Sequence, residues 1–492
     1  MTSSPEPGRT PDSTAPAGAA RAHAATVSPL TLAGIVVGSM VGAGVFSLPA
    51  QFAARTGVAG ALVAWAVAGG GMLMLAFVFQ LLAVRKPRLD AGVYAYAKAG
   101  FGDYVGTLSA VGYWASACAG NVFYWIFITS TLGAVFPALG AGDTVVAMAV
   151  ASVGLWAFFL LIRRGVREAA GLNRVVTIAK VLPIVLFVVL CLFVLKPDVF
   201  ARNWTGGASA GPLFEQVRTT MLVTVFAFIG VEGASVYSRH ARSRADVGRA
   251  TVLGLLAVLS IFASVTIVSY GVLPMDQIAA LRQPSMGGVL EAAVGGWGAV
   301  LVSVALIVSI LGAYLAWTLM AAEVLLAAAR ESDLPRFLRR VNAHDVPIAS
   351  LTLLTAVVQA MLVVTLFSQD AFDTSLALTS SLILVPFFLA AAYALKITVT
   401  REDRVGSRRR LAWELAMTAL ATLYTLFLLW AGGLEYLLVS CIVLAFATGL
   451  FVWGRLEQRA RVFAPFEWLV FALVLAAAVA GVVGLATGAI VI

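Results

Sequence analysis

Long apolar runs, separated by short segments rich in arginine, make up most of the chain. Thirteen runs are long enough to cross a hydrocarbon core of roughly 30 Å. They cover residues 30–54, 58–84, 104–136, 144–162, 173–195, 219–238, 250–273, 298–329, 347–368, 374–396, 411–431, 434–454 and 464–490. Numbered as spans 1–13, they predict an all-α integral membrane protein. Only Gly432 and Gly433 separate spans 11 and 12.

Two of the spans are interrupted by glycine. Span 1 contains Gly38, Gly42 and Gly44, and span 6 contains Gly230 and Gly233. Glycine weakens a helix, and open backbone at membrane depth is tolerated only where it is buried in protein or lines a cavity. We therefore expect a binding site at these breaks. Close packing of small residues between helices is the competing interpretation.

The second break lies five spans after the first. A unit with an odd number of spans re-enters the membrane upside down, so the pattern predicts two inverted repeats. These are residues 29–196 with spans 1–5 and residues 197–397 with spans 6–10. Residues 1–28 are rich in Pro, Ala, Ser and Thr and predict a disordered tail, while residues 398–492 predict accessory helices.

The basic residues predict the orientation of the chain. With the N-terminus inside, 27 of the 33 lysines and arginines fall in inner segments and five in outer ones. This asymmetry follows the positive-inside rule and places the C-terminus outside. The net charge of +9 therefore reflects the arrangement of the chain in the membrane and does not indicate a surface that binds nucleic acid. The chain is 61% hydrophobic, and its three cysteines lie in apolar runs without metal or disulfide spacing.

Glu232 and Lys180 are ionisable groups within predicted spans. An intramembrane carboxyl is a functional candidate by default, and Glu232 could attract a cation, take up a proton or join two helices. Lys180 either extends to the interface or fixes its ammonium against the opened backbone of span 1. Phe226 and Phe228 adjoin the second break, where aromatic rings could stack on a cation. No Ser-His-Asp, HExxH or P-loop pattern is present, which disfavours an enzyme.

Several motifs together resemble the amino acid/polyamine/organocation transporters. They are Gly42-Ala-Gly-Val-Phe46, Ala119-Gly-Asn121, Phe228-Ile-Gly-Val-Glu232, and Trp317-Thr-Leu followed by Leu334-Pro and Val341-Asn. The stretches that begin at Gly230 and at Arg282 are similar to the arginine/ornithine branch of the basic amino acid antiporters. The resemblance implies a ten-helix inverted-repeat core, alternating access and exchange of cationic amino acids, without a cofactor or metal.

The resemblance also implies roles for individual residues. The opened backbone at Gly42 would bind the substrate carboxylate, and Phe226 with Trp317 would flank the cationic side chain. The residues expected to bind substrate are Met40, Gly42, Ala43, Gly44, Ser116, Asn121, Phe226, Phe228, Ile229, Trp317 and Ser381. Those expected to couple binding to gating are Tyr113, Lys180, Glu232 and Phe388.

Two transport hypotheses remain open from the sequence. The first is exchange of arginine for ornithine in a cell membrane. The second is proton-coupled uptake of lysine or another amino acid, with Glu232 or Lys180 titrating. An integral-membrane enzyme is a remote third hypothesis, and two broken inverted halves favour a carrier over a channel. The partners expected are the amino acid substrates, the lipid bilayer and a second copy of the chain, since relatives of this family often form dimers.

Overall fold

The computed structural model describes residues 33–34, 37–38, 40–89, 92–165, 170–206, 211–232, 244–368, 370–402 and 407–490. The predicted tail at 1–28 and the end of span 6 at 233–238 lie outside these residues. The described chain is helical and contains no strand, which confirms the all-α prediction.

Seventeen α-helices follow one another along the described chain. The first nine are α1 (Leu48–Ala53), α2 (Val58–Arg85), α3 (Val93–Phe101), α4 (Asp103–Leu132), α5 (Val145–Arg163), α6 (Ala170–Phe193), α7 (Pro197–Arg202), α8 (Leu213–Phe228) and α9 (Arg244–Ser269). The others are α10 (Met275–Ala279), α11 (Ser285–Val294), α12 (Gly296–Arg330), α13 (Ile348–Val364), α14 (Ala371–Val399), α15 (Arg408–Ala431), α16 (Leu434–Glu457) and α17 (Pro465–Ala486).

Nine helices of the described chain are long and apolar enough to cross a bilayer: α2, α5, α9 and α12–α17. Eleven of the thirteen predicted spans correspond to continuous helices, which include α4 and α6. α12 has 35 residues and is about 52 Å long, so it extends beyond the hydrocarbon core. α15 ends at Ala431 and α16 begins at Leu434, which confirms the boundary at the glycine pair. Gly433 has φ +87°, a conformation that favours glycine.

Several helices begin or end a few residues away from the apolar runs. Span 6 was expected to begin at residue 219, but α8 begins at Leu213. The helix can extend this far because the polar side chains in its first turns have hydrogen-bond or ion-pair partners. Arg218 Nε lies 2.7 Å from Glu215 Oε2, and the buried Gln216 accepts a hydrogen bond from Thr56. Span 3 was expected to reach residue 136, but α4 ends at Leu132, where Gly133 caps the helix.

The helices pack around two central spans, α2 and α4. α2 packs against α8, α9 and α15. α4 packs against α12, α14 and α16, and α14 also packs against α8 and α15, which joins the two sets of helices. Small residues on α4 permit the close approach of α14: a Cβ added at Gly112 would lie 3.3 Å from the carbonyl oxygen of Leu382. The interruptions in spans 1 and 6 therefore lie within a tightly packed protein interior.

Candidate functional site

Span 1 is interrupted at Val41–Ala43, where the backbone is not helical. A short 3₁₀ helix at Gly44–Ser47 follows, and α1 continues from it. Ser309 Oγ on α12 donates a hydrogen bond to the Gly42 carbonyl over 3.3 Å. The N–H groups of Gly42, Ala43 and Gly44 have no acceptor within the described part of the chain. Buried N–H groups of this kind are suited to an anionic group of a ligand.

Span 6 is interrupted directly after Phe228, where α8 ends. Ile229 is extended, with φ −59° and ψ 134°, and Gly230 has φ +108°. A positive φ is accessible to glycine at little cost, so Gly230 permits the sharp change of direction. Both glycine-rich breaks predicted from the sequence are therefore present in the backbone.

The two breaks meet at a small buried cavity. A Cβ added at Gly44 would lie 2.9 Å from Phe226 Cδ1, so the glycine permits the aromatic ring to rest directly on the opened backbone of span 1. The cavity has a volume of about 20 Å³. This is room for about one water. It is lined by Met40, Gly42, Ala43, Gly44, Val45, Gly120, Tyr124, Phe226, Ala227, Ile229, Phe262, Ala313 and Trp317.

Seven of the eleven residues expected to bind substrate line this cavity: Met40, Gly42, Ala43, Gly44, Phe226, Ile229 and Trp317. The other four lie elsewhere. Phe228 is fully buried on another face of α8 and packs edge-on against Trp65, with ring centroids 5.9 Å apart. Ser381 pairs with Ser440 of α16, with the hydroxyl oxygens 3.0 Å apart.

Ser116 and Asn121 connect α4 to its neighbours instead of facing the cavity. Ser116 Oγ donates to the Thr379 carbonyl over 2.7 Å, and Asn121 Nδ2 donates to Thr318 Oγ1 over 3.0 Å. Asn121 Oδ1 is buried and has no hydrogen-bond partner within the described ranges of the chain. These contacts hold α4 against α14 and α12 next to Trp317.

The carboxylate of Glu232 joins the second break to α4. Its Oε2 accepts a hydrogen bond from the Gly230 N–H over 3.0 Å, and its Oε1 accepts one from the Tyr113 hydroxyl over 3.3 Å. Glu232 is buried, with 6% of its surface exposed. A change in its charge would therefore act on both the opened backbone and α4. Phe388, which was also expected to couple binding to gating, is partly exposed on α14.

Lys180 on α6 contacts span 1 just before its break. Its ammonium is buried and donates a hydrogen bond to the Gly38 carbonyl. Of the two interpretations left open by the sequence, the structure shows the contact with the opened span rather than extension to the interface. A fixed positive charge at a helix break satisfies a carbonyl that the broken helix leaves without its usual partner.

Tyr124 was not among the predicted site residues, but its hydroxyl faces the cavity beside Gly42. A Cβ added at Gly42 would lie 3.5 Å from this oxygen, and the hydroxyl has no hydrogen-bond partner among the described residues. The signal was available: Ser116, Gly120 and Tyr124 are spaced by four residues and share one face of α4.

Aromatic rings close the cavity on the side of α1 and the start of α14. Phe123 packs against Phe226 with ring centroids 4.7 Å apart, and Phe372 lies 4.5 Å from Phe123. Beyond these rings, Arg55 Nη2 lies 3.5 Å from Asp373 Oδ2 at the rim of a groove of about 300 Å³. The arrangement can hold a small zwitterion with a cationic side chain, provided that the rings separate.

Comparison with known proteins is consistent with this geometry. A family model described as amino acid permease matches residues 27–450. The chain is 47% identical over 465 residues to an arginine/ornithine antiporter of Pseudomonas aeruginosa, covering 93% of this chain and 96% of the relative. It is 39% identical over 499 residues to an L-lysine transport protein of Corynebacterium glutamicum, covering 97% and 99%. It is 42% identical over 429 residues to a putative arginine/ornithine antiporter of Escherichia coli, covering 86% and 91%.

Proposed function

We propose that this chain, which belongs to the amino acid permease family, exchanges arginine for ornithine by alternating access. As a member of that family it is a multi-pass membrane transporter rather than an enzyme. The observation that carries the proposal is the cavity at which the two interrupted spans meet. The relatives named as arginine/ornithine antiporters support the choice of substrates.

The proposed substrate pose follows from the chemistry of the cavity walls. The N–H groups of Gly42, Ala43 and Gly44 would bind the α-carboxylate, because they are buried and have no acceptor among the described residues. The Tyr124 hydroxyl would add a fourth donor. Phe226 and Trp317 would flank the cationic side chain, which aromatic faces attract. We propose that Met40 and Ile229 border the α-amino group.

Binding requires the cavity to expand. Ligand sites usually measure about 300–1,000 Å³, whereas this cavity measures about 20 Å³. Phe226 and Trp317 retain 8% and 9% exposure, which is consistent with their position at the cavity. We propose that separation of their rings admits the substrate, and that Tyr113, Lys180, Glu232 and Phe388 couple this movement to gating. Ser116, Asn121, Phe228 and Ser381 would then support the wall instead of touching substrate.

Exchange of these two amino acids would need no ion gradient. Arginine and ornithine each carry about one positive charge at neutral pH, so a one-for-one exchange moves no net charge. The mechanism requires only that the carrier reorients slowly without substrate.

Proton-coupled uptake of lysine remains the second candidate. The relative named as an L-lysine transport protein favours it, because that protein matches nearly the whole chain. In this hypothesis the buried Glu232 or Lys180 would take up and release the coupled proton.

The arrangement in the membrane is also a proposal. We infer inverted repeats at residues 29–196 and 197–397, accessory helices at 398–492, a cytoplasmic N-terminus and an outer C-terminus. The arginine-rich inner segments support this orientation. Reporter fusions at both ends would test it, and a cytoplasmic C-terminus would contradict it. A homodimer is a further proposal, which the mass of the purified protein in detergent would test.

Competition for labelled arginine tests the substrate class. In ornithine-loaded proteoliposomes, unlabelled arginine and ornithine should each reduce the uptake of labelled arginine, because both fit the proposed pose. Agmatine, which lacks the carboxylate, should compete poorly. Strong competition by lysine alone would favour the second candidate, and competition by agmatine equal to that of arginine would contradict the assigned carboxylate site.

A further inference from the structure

A groove of about 610 Å³ lies between α2, α9 and α15, where all three reach the same side of the molecule. It is separate from the cavity at the two breaks and shares no lining residue with it. Arg85 stands in the last turn of α2, Arg249 near the start of α9 and Arg410 in the first turn of α15. The groove therefore joins the apolar sides of three spans to a cluster of arginines at their ends.

The arginines outnumber the acidic groups of the groove. Both oxygens of the buried Glu414 carboxylate are occupied: Oε2 by Arg85 and Oε1 by Arg410 Nε at 3.1 Å. Arg249 is exposed and has no ion-pair partner among the described residues. One carboxylate thus faces three guanidinium groups, and the groove keeps an excess of positive charge.

Apart from the arginines, most of the groove is lined by apolar side chains, and two of these are about half exposed. Trp413 is 48% exposed and packs edge-on against Phe77, with ring centroids 5.3 Å apart. Leu253, 53% exposed, stands one turn along α9 from Arg249. Phe77 lies eight residues before Arg85 on α2, or about 12 Å along the helix axis. Positive charge at the membrane edge and apolar surface below it match the two ends of a lipid.

We propose that this groove binds an anionic phospholipid, with its phosphate at the arginines and an acyl chain along Trp413 and Leu253. Guanidinium groups bind phosphate through paired, charge-assisted hydrogen bonds. Basic pockets between membrane helices are suited to anionic headgroups. If two copies of the chain paired through this surface, their positive charges would repel each other. The excess charge therefore favours an anionic lipid over a second copy as the occupant of the groove. The proposal does not depend on the identity of the transported substrate.

Native mass spectrometry of the purified transporter would test the headgroup. The probes are phosphatidylglycerol and, for comparison, phosphatidylcholine with the same acyl chains. We expect tighter retention of phosphatidylglycerol, and a loss of about fivefold in its affinity for each of Arg249→Gln and Arg410→Gln. Arg409→Gln is the matched control, because Arg409 is an exposed neighbour of Arg410 that does not line the groove. Equal retention of both lipids, or the same loss in the control, would overturn the proposal.

A photo-crosslink would identify the occupant even if an arginine variant failed to fold. With p-benzoylphenylalanine in place of Leu253, irradiation of the protein in vesicles of both lipids should yield a phosphatidylglycerol adduct. A crosslink to a second copy of the chain, or adducts in proportion to the bulk lipid, would contradict selective binding. Arginine exchange in the same sample would report separately on the proposed transport.

Discussion

The shape of the cavity depends on single atoms at the two breaks. Gly44 lacks the Cβ that would otherwise meet the ring of Phe226, and Tyr124 supplies a hydroxyl beside Gly42. Glu232 connects the backbone of Gly230 to Tyr113. These contacts are specific enough for conservative substitutions to separate a role in transport from a role in folding.

Gly44→Ala should impair transport. The added Cβ would lie 2.9 Å from Phe226 Cδ1, and overpacking of this kind costs about 1–3 kcal/mol. Because the strain falls on the cavity wall, we expect arginine exchange to fall roughly tenfold or more while the protein still folds. Gly70→Ala is the control, since a Cβ there meets nothing within 4 Å. Equal rates in both variants, measured in proteoliposomes, would remove Gly44 from the site.

Glu232→Gln should lower exchange more than it lowers thermal stability. The amide retains an oxygen that can accept a hydrogen bond, but it cannot carry the negative charge. The control is Glu323→Gln, the same change at an exposed position of α12. Exchange rate, its pH profile and the melting temperature would be compared. Normal exchange with an unchanged pH profile would show that Glu232 is not part of the mechanism.

At the scale of helices, the sequence predicted most of the architecture. Apolar runs of membrane length identify eleven continuous helices, because hydrocarbon requires apolar side chains and internally bonded backbone. The glycine clusters located both breaks. Helix starts such as that of α8 were harder to predict. Polar residues such as Gln216 can lie in the first turns of a membrane helix when they form hydrogen bonds with another helix or loop, and a single sequence does not show those partners.

The site was only partly predictable for the same reason. Residues on the breaks were found because glycine marks open backbone. Phe228 lies on a different face of α8 from Phe226 and packs against Trp65, because near a break the face on which a ring lies depends on where the helix ends. Ser381 and Ser116 were polar residues in apolar runs, and the structure pairs both with neighbouring helices. Tyr124 was overlooked, although its spacing from Ser116 and Gly120 places it on the same face of α4.

Lys180→Met should impair transport by loosening the contact between α6 and span 1. The substitution keeps the length of the side chain but leaves the Gly38 carbonyl without its ammonium partner. We expect exchange to fall about tenfold, as for loss of a hydrogen bond to a charged group. Lys196→Met, at the exposed end beyond α6, is the control and should be close to normal. Equal exchange by both variants would contradict a role for the contact.

At the scale of the whole molecule, a charged cluster connects the ends of several helices. Lys98 Nζ on α3 lies 2.7 Å from Asp333 Oδ2, which also accepts a hydrogen bond from Tyr94 over 2.6 Å. Arg455 on α16 lies 3.8 Å from Asp333 Oδ1 and 3.2 Å from Asp103 Oδ2 at the start of α4. The cluster ties α3, α4 and α16 to the segment after α12.

Burial and charge shift the pKa values of this cluster. Burial raises the pKa of Asp333, although its bonds to Lys98 and Tyr94 oppose the shift. Burial also raises the pKa of Tyr94, and the nearby Asp333 adds to that increase. For Lys98, burial lowers the pKa, but the hydrogen bonds to Asp333 and Glu331, together with the charges of Asp333 and Asp103, outweigh burial and the net pKa is raised.

The raised pKa of Lys98 predicts a loss of stability in alkali. Its contribution is complete below the unfolded-state pKa of about 10.4 and is lost as the pH rises through the higher folded-state value. Lys98→Met should lower the free energy of unfolding on the order of 2 kcal/mol, less than for a fully buried pair because Arg455 remains near Asp333. The melting temperature of this variant should also fall less than that of the unchanged protein when the pH is raised through the pKa of Lys98.

Arg202→Met is the control, since Arg202 pairs with Asp198 and the two side chains are 70% and 75% exposed. Such a surface pair should contribute less than about 1 kcal/mol. If the two variants melted at the same temperature, the cluster would not stabilise the fold.

The most direct test of the proposed exchange is uptake of labelled arginine into proteoliposomes without any ion gradient. Vesicles loaded with ornithine would be compared with vesicles loaded with buffer alone. We predict uptake only into the ornithine-loaded vesicles, because the carrier should return with a counter-substrate, and no change in rate when a membrane potential is imposed. Equal uptake into both kinds of vesicle would contradict obligate exchange, and uptake that appears only with an inward proton gradient would support the proton-coupled alternative instead.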